Sequence, residues 1–286
     1  MMIKEVFNAI ASAARRLLRG WRVLLIMLAL YLAMLGSVYL FFATREATVA
    51  QLLLSLALGI LALVLWLVIQ EMAVRYGSED RAGRLLALSF SDFWKLGIIA
   101  LPLVLLLGLA VYYLGSVEFN SVQETVRSVP APRRVVGTRE PPPSPAWQAV
   151  ALSTLQYLLV GLVLPLASIH LWIEAARNGL KNAFKRFART MAHAFAPRTV
   201  LTYAIGFVVF AVIPYLLVTK RTSVTSPWLD VSLLGTRLAL AVLLSLIGWV
   251  VTVGALARLR AGETATAQQM DDSRANPGIE HVPAES

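Results

Sequence analysis

Three side chains near the ends of two apolar stretches have the chemistry of divalent-metal ligands. Glu71 lies one helical turn before Arg75, and His170 lies one turn before Glu174. If the two helix ends meet, Glu71, His170 and Glu174 could bind a metal ion through carboxylate oxygens and an imidazole nitrogen, as in a metal-dependent membrane enzyme. The alternative is a set of charge pairs four residues apart that anchor helix ends. We favour the pairs and predict no cofactor, because no residues that would support metal ligands can be identified.

The segment Gln70-Glu71-Met-Ala-Val-Arg75 is similar to the Glu-Glu-x-x-x-Arg signature of CAAX-type intramembrane proteases. Gln70 replaces the first glutamate of that signature, and the later Phe-x-x-x-His motif is missing. His170 is followed four residues on by Glu174 rather than by Asn or Asp. A protease needs a matched base and electrophile, so we do not expect this activity.

Gln156 is the clearest polar side chain deep inside an apolar stretch. Such a residue either marks a solute pathway or forms hydrogen bonds between helices. We favour hydrogen bonding, because a pathway for protons or metal ions normally carries more charge. A transporter or exporter of a small apolar or amphiphilic solute stays open as an alternative, with Gln156 as a mid-membrane contact.

These candidate residues belong to a chain dominated by long apolar stretches. The composition is 58% hydrophobic and 15% charged. A helix of about twenty residues crosses a hydrocarbon layer of about 30 Å and satisfies its own backbone hydrogen bonds there. The sequence therefore predicts an all-α polytopic membrane protein with six transmembrane helices, at Arg22–Phe42, Val49–Gln70, Leu96–Tyr113, Trp147–Ile173, Thr199–Val218 and Leu238–Ala257.

Basic residues are distributed unevenly between the two sides of these six stretches. The formal net charge is +10, and eighteen of the twenty-six Lys and Arg fall in the N-terminal segment, the second and fourth loops and the C-terminal segment. An excess of Lys and Arg marks the cytoplasmic side, so both termini are predicted to be cytoplasmic. Because the charge follows membrane orientation, we expect no nucleic-acid partner. The chain has no cysteine, which excludes disulfides and thiolate metal sites.

Basic segments with helical apolar periodicity precede the first, third and fifth predicted membrane helices. Helices of this kind lie in the membrane interface, with cations toward anionic headgroups. The segments are 1–20, Arg81–Phe93 and a third from Leu180 to Phe195. In the first, Ile3, Phe7, Leu17 and Leu18 share a face with Ile10 and Ala14. The residues predicted to contact lipid headgroups are Arg15, Arg16, Arg19, Lys181, Lys185 and Arg189.

The third basic segment carries a family resemblance. Trp172-Ile-Glu-Ala-Ala-Arg-Asn-Gly, followed by Ala183-Phe-Lys-Arg-Phe-Ala-Arg189 and a new membrane helix, resembles the linker of certain six-helix bacterial inner-membrane proteins. These proteins are akin to the membrane domain attached to some glycerophosphodiester phosphodiesterases. The resemblance implies the six-helix fold and a bacterial membrane. It implies no phosphodiesterase activity, because the catalytic domain is not present in this sequence.

Together these patterns predict one membrane domain over residues 1–261. It contains a Pro-rich outer loop over 116–146 and is followed by a disordered cytoplasmic tail over 262–286. The expected function is that of a scaffold, assembly or regulatory component of the bacterial cytoplasmic membrane, without a catalytic site. Its expected partners are the lipid bilayer, anionic headgroups and proteins bound through the membrane domain.

Overall fold

A computed structural model describes most of the chain as helix. The residues it describes are 2–44, 48–76, 81–128, 147–220 and 226–275, and the side chains of 117–128, 148–149, 227 and 263–275 are not described. The helices are α1 (Met2–Arg19), α2 (Trp21–Ala43), α3 (Val49–Arg75), α4 (Ala82–Ser128), α5 (Trp147–Leu158), α6 (Leu164–Asn178), α7 (Leu180–Lys185), α8 (Phe187–Ala194), α9 (Pro197–Phe207), α10 (Ile213–Thr219) and α11 (Pro227–Ala275).

Six helical stretches are long and apolar enough to cross a membrane, which confirms the predicted all-α polytopic fold. They are Trp21–Ala43, Val49–Arg75, Ala82–Ser116, Val150–Asn178, Pro197–Thr219 and Trp228–Gly262. Each overlaps one of the predicted stretches, and most extend beyond it because the helix continues past the apolar residues. The protein is a multi-pass membrane protein.

Several boundaries differ from the sequence-based expectation. The segment Arg81–Phe93 is not a separate helix, because α4 continues from Ala82 through it into the membrane span. The third basic segment forms two short helices, because Arg186 departs from helical dihedral angles (φ −103°, ψ 18°). The helix α4 runs on to Ser128 through the first part of the predicted outer loop, and residues 129–146 of that loop lie outside the described part. Likewise α11 runs through the start of the predicted tail to Ala275, and 276–286 lie outside it.

Two membrane spans each contain a π-helical turn that precedes a proline. Leu159–Val163 joins α5 to α6 just before Pro165, and Val208–Val212 joins α9 to α10 just before Pro214. Proline has no N–H to donate to the preceding turn, so carbonyls there need other partners. The Tyr203 hydroxyl, from α9, donates to the Gly161 carbonyl at 2.8 Å. A side chain of the fifth span thus satisfies a carbonyl in the π turn of the fourth.

The buried core lies toward one end of the bundle. All but one of the buried residues of α3 lie between Leu65 and Val74, and every residue of α6 from Leu166 to Ala175 is buried. We call this the basic end, and it also holds α1, α7, α8 and the stretch of α11 around Leu256. The opposite end, where α2 ends and α3 begins, is the distal end. Its apolar side chains are largely exposed.

The helix α3 lies at the centre of the bundle, in contact with α2, α4, α6 and α11. The separate helix predicted over residues 1–20 is present as α1, which packs along α11 and α9. Gly254 permits this approach, because a Cβ placed there would lie 3.6 Å from the Cβ of Ala13. The N-terminal helix is therefore part of the bundle and forms one wall of the basic end.

Candidate functional site at the basic end

The first ionic cluster of the basic end joins α3 to α4. Arg75 binds Glu71, one turn earlier on the same helix, and Asp92 on α4. Asp92 also accepts from Lys95 Nζ at 2.5 Å. The Glu71 side chain is 3% exposed and that of Arg75 is 17% exposed. A buried carboxylate is stable only when it is paired and hydrogen-bonded, so this cluster fixes the register of the two helices.

The second cluster joins α6 to α11. Arg260 forms an ion pair with Glu174 and donates to the His170 carbonyl at 2.8 Å. It also donates to the Thr190 hydroxyl of α8 at 3.2 Å. Asn178 donates to the other Glu174 oxygen at 2.8 Å. Both oxygens of the Glu174 carboxylate are therefore engaged within the protein.

The three candidate metal ligands do not form a metal site in the described residues. Glu71 is held by Arg75 and Glu174 by Arg260, each in its own cluster. His170 Nδ1 donates to the Leu166 carbonyl of its own helix at 2.9 Å. No group of three or more His, Cys, Asp or Glu able to hold a metal occurs in the part of the chain that the structure describes. The geometry gives the metal-enzyme alternative no support.

Gln70 lies in the core, whereas Gln156, the predicted mid-membrane contact, does not. Gln70, on α3, is buried and accepts a hydrogen bond from Trp249 Nε1 of α11 at 2.7 Å. Gln156, on α5, is half-buried and its Nε2 lies 3.5 Å from the Val111 carbonyl of α4. That separation is at the outer limit of a hydrogen bond. Gln156 thus contacts the neighbouring helix α4. It does not line the pocket that Gln70 helps to form, which is described next.

This pocket lies between α2, α3, α11 and the second π turn. It has a volume of about 340 Å³ and is lined mainly by aromatic and apolar side chains, with Gln70 and Ser245 as polar groups. Its other lining residues are Tyr31, Met34, Trp66, Ile69, Phe210, Leu246 and Trp249. Largely apolar pockets with a few polar groups are typical of small-molecule sites. We refer to it as the aromatic pocket.

The helix α1 presents three different edges. Val6, Ala13 and Leu17 are buried against the bundle. Ile3, Phe7 and Leu18, from the same predicted apolar face, are exposed. At 3.6 residues per turn, Lys4, Arg15 and Arg19 lie on the side opposite Leu17, and the two arginines are exposed. Arg16 is half-buried and lies at the border of the bundle. The predicted headgroup cations of α1 thus flank an exposed apolar edge.

The cations predicted on the third segment are exposed on α7 and α8. Lys181, Lys185 and Arg189 are accessible, as are the rings of Phe184 and Phe187. Ala183, Thr190 and Ala194 face the bundle. Cations and aromatic rings therefore share the accessible surface of these helices, although the predicted single stripe is broken at Arg186.

Sequence reasoning missed the partners that complete both clusters. Asp92 is separated from Arg75 by 17 positions and Arg260 from Glu174 by 86, so neither pair shares a helix face. Trp249 is 179 positions from Gln70. The only local signal is the spacing of Asp92 and Lys95, one turn apart. The spacing of four residues pointed to Arg75 as the partner of Glu71, but no local spacing pointed to Arg260 as the partner of Glu174.

A scan against protein-family models found no match to this chain, and searches of the curated proteins and of the solved structures found none either. The resemblance carried by Trp172 to Arg189 therefore stays a prediction. Function has to be inferred from the geometry of this chain itself.

Proposed function

We propose that this chain is a non-catalytic scaffold, assembly or regulatory component of a bacterial cytoplasmic membrane. Both of its termini lie in the cytoplasm, and its basic end binds anionic lipid headgroups. The observation that carries the proposal is the division of α1 into a buried edge, an exposed apolar edge and a cationic edge. A helix that lies in the membrane interface needs this arrangement, with apolar residues toward the acyl chains and cations toward the headgroups.

The ionic clusters support a structural role for the acidic residues. Glu71 and Glu174 each hold an arginine, and Asp92 connects α4 to the same network. A general base or a metal ligand needs a lone pair directed at a substrate or an ion. Here the carboxylates are used to join α3 to α4 and α6 to α11.

Single cysteines test the interfacial placement of α1, because the natural chain has none. Phe7→Cys and Asn8→Cys are neighbouring, exposed positions on different edges of α1. A nitroxide label at position 7 should be accessible to oxygen dissolved in the bilayer, and one at position 8 to a water-soluble nickel chelate. Equal accessibility to the nickel chelate at both positions would contradict the proposal.

Labelling of intact cells tests the orientation. A cysteine at position 274, within the C-terminal part of α11, should react with a membrane-impermeant maleimide only after the cells are opened. A cysteine at position 145, in the segment predicted to lie outside, is the matched control and should react before opening. The reverse pattern would place the basic end outside the cytoplasm.

The aromatic pocket favours one alternative, the binding and transport of a small apolar or amphiphilic solute. Its rings and the Gln70 amide suit a ligand with an apolar body and one polar group. A dibrominated fatty acid should quench the fluorescence of Trp66 and Trp249 if it enters the pocket. Ser245→Phe, which fills the pocket, should reduce the quenching, whereas Ser232→Phe on the exposed part of α11 should not. Identical quenching in both variants would exclude this alternative.

A further inference from the structure

We infer that the basic end contains a pocket for the phosphate group of an anionic phospholipid, built by arginines from α1, α3, α6 and α11. The inference deepens the proposed function, since it names a defined site and ligand where that proposal needs only a charged surface. The pocket has a volume of about 330 Å³. Its lining residues are Arg16, Arg75, Arg177 and Arg258, with Val74, Ala176, Ala257 and Ala261. Four helices therefore each direct one arginine toward the same cavity.

The walls of the pocket are fixed by contacts between those helices. Arg177 Nη2 donates to the Ala257 carbonyl at 2.9 Å, which joins α6 to α11. The Tyr76 hydroxyl donates to the Arg16 carbonyl at 2.6 Å, which joins α1 to the end of α3. The Arg16 guanidinium lies over the Tyr76 ring, 5.9 Å from its centroid. These contacts between helices hold the walls in place, so the arginines line a space that is already formed.

The charge of the pocket calls for an anion. None of its lining residues is acidic, within the part of the chain that the structure describes. Two carboxylates, Glu71 and Asp92, pair with Arg75 of the pocket, and Glu174 pairs with Arg260. The positive charge of the pocket is therefore supplied mainly by the arginines from α1, α6 and α11. Like charges around one cavity repel each other, and the attraction of each cation to an anion in the cavity offsets that repulsion. Guanidinium groups bind phosphate through paired hydrogen bonds, which makes phosphate the anion of choice.

A second pocket extends the arginine-rich surface onto α1. It has a volume of about 500 Å³ and is lined by Ser12, Arg15, Arg16, Arg19 and Arg258. Arg16 and Arg258 belong to both pockets, so the two form one continuous cationic surface. The exposed cations of α1 are suited to attract an anionic lipid, and the deeper pocket to retain its phosphate.

The position of the pocket favours a lipid over a soluble phosphate compound. It lies at the ends of two membrane spans, which terminate at Arg75 and Asn178. This is the level at which headgroups begin. Val74, Ala176 and Ala257 add apolar surface beside the arginines. A phosphate that carries acyl chains would satisfy both parts of this lining.

Native mass spectrometry of the full chain, titrated with phosphatidylglycerol or phosphatidylcholine, tests the site. Wild-type protein should bind one phosphatidylglycerol more tightly than phosphatidylcholine. The variant Arg177→Gln/Arg258→Gln should weaken that binding about tenfold, because two charge-assisted contacts are lost. Lys220→Gln/Arg237→Gln removes the same charge at the distal end, where Arg237 of α11 donates to the Lys220 carbonyl, and should change the binding less than about twofold. An equal loss in both variants would overturn the inference in favour of diffuse attraction.

A third variant separates ligand binding from folding. Ala261→Trp fills the pocket without removing a charge and should weaken phosphatidylglycerol binding while the helical content and melting temperature stay unchanged. If this variant binds like wild type, the pocket is not the site. Inorganic phosphate is the last probe. It should compete only weakly with the lipid, and full displacement at equal concentration would assign the site to a soluble phosphate compound.

The failure of this inference and that of the proposed function are distinguishable. If the label at position 7 proves to lie in water, the interfacial placement of α1 is wrong, whatever the lipid titration shows. If the pocket variants bind phosphatidylglycerol normally while the label lies in lipid, α1 is interfacial and the pocket inference is wrong.

Discussion

The basic end and the distal end of the bundle differ in how far their side chains are buried and in the polar contacts between their helices. At the basic end, α6 is enclosed over every residue from Leu166 to Ala175, and ion pairs cross between α3 and α4 and between α6 and α11. At the distal end, long runs of leucine are exposed, such as Leu52–Leu54 on α3. The same helices thus change from protein-facing to lipid-facing surfaces along their length.

The difference shows where the stability of a membrane bundle originates. Lipid tails are as apolar as leucine, so burying a leucine between helices gains little from the hydrophobic effect. Close packing and polar contacts have to hold the helices together, and both are concentrated at the basic end. The distal end leaves apolar surface for acyl chains or for a protein partner.

Breaking the ion pair between α6 and α11 should lower the free energy of unfolding more than any other substitution discussed below. Arg260→Gln leaves the buried Glu174 carboxylate without its cation, and the loss of one partner of a buried pair costs about 3–5 kcal/mol. Unfolding by denaturing detergent, followed by circular dichroism, measures this cost. Arg237→Gln on the distal part of the same helix is the control and should cost less than about 0.5 kcal/mol. Equal costs would show that the two ends do not differ in this respect.

Adding a methyl group at a close contact between helices should have the next largest effect on the free energy of unfolding. A Cβ at Gly248 would lie 2.9 Å from Phe210 Cβ and 3.1 Å from the Phe210 backbone nitrogen. Gly248→Ala therefore pushes α11 away from the second π turn and should cost about 1–3 kcal/mol. Gly235→Ala, also in α11, meets nothing within 4 Å. That variant should leave the melting temperature of the purified protein unchanged or raised, and a fall as large as that of Gly248→Ala would contradict the comparison.

Truncation of apolar side chains compares the two ends directly. Leu166 is 0% exposed and Leu106 is 72% exposed. Leu166→Ala opens a cavity and should cost about 1–2 kcal/mol, less than in a soluble protein because the transfer term is small in lipid. Leu106→Ala should be nearly neutral, since lipid refills the space. The same unfolding assay measures both, and a larger loss at Leu106 would mean that the distal end is packed against another protein.

Removing the hydrogen bond to the π turn of the fourth span should have the smallest effect on the free energy of unfolding. Tyr203→Phe removes the donor to the Gly161 carbonyl and should cost about 0.6 kcal/mol, as is typical of hydrogen bonds within membranes. Tyr215→Phe is the control, because that ring is exposed. Restoring a backbone N–H with Pro165→Ala should make the Tyr203→Phe substitution harmless. If the cost of Tyr203→Phe persists in that background, the hydroxyl acts through other contacts.

The spans were predictable from sequence because the bilayer imposes length and apolarity on each one separately. The helix ends were harder, since nothing local stops α4 between Arg81 and Leu96, or α11 after Gly262. The break at Arg186 was missed for the opposite reason. The apolar periodicity of residues 180–195 continues across Arg186, although the helix is interrupted there.

The candidate site was only partly predictable. Pairing of Glu71 with Arg75 follows from their spacing, and the structure has it. The pairing of Glu174 with Arg260 depends on how α6 and α11 are placed, which a one-dimensional pattern does not contain. The arginine pocket is a similar case, because Arg16, Arg75, Arg177 and Arg258 come from four separate helices.

The π turn at Leu159–Val163 gives the fourth span a place where its length can change without a change in the direction that α6 faces. A π turn holds about one residue more than an α turn, whereas each residue of an α-helix advances the chain by about 100°. Loss of one residue from the π turn would leave an ordinary α turn, and Glu174 would still face Arg260. Loss of one residue between Leu166 and Glu174 would instead rotate Glu174 away from Arg260 by about 100°. A single-residue deletion is thus tolerated at the π turn and disruptive a few positions later in the same span.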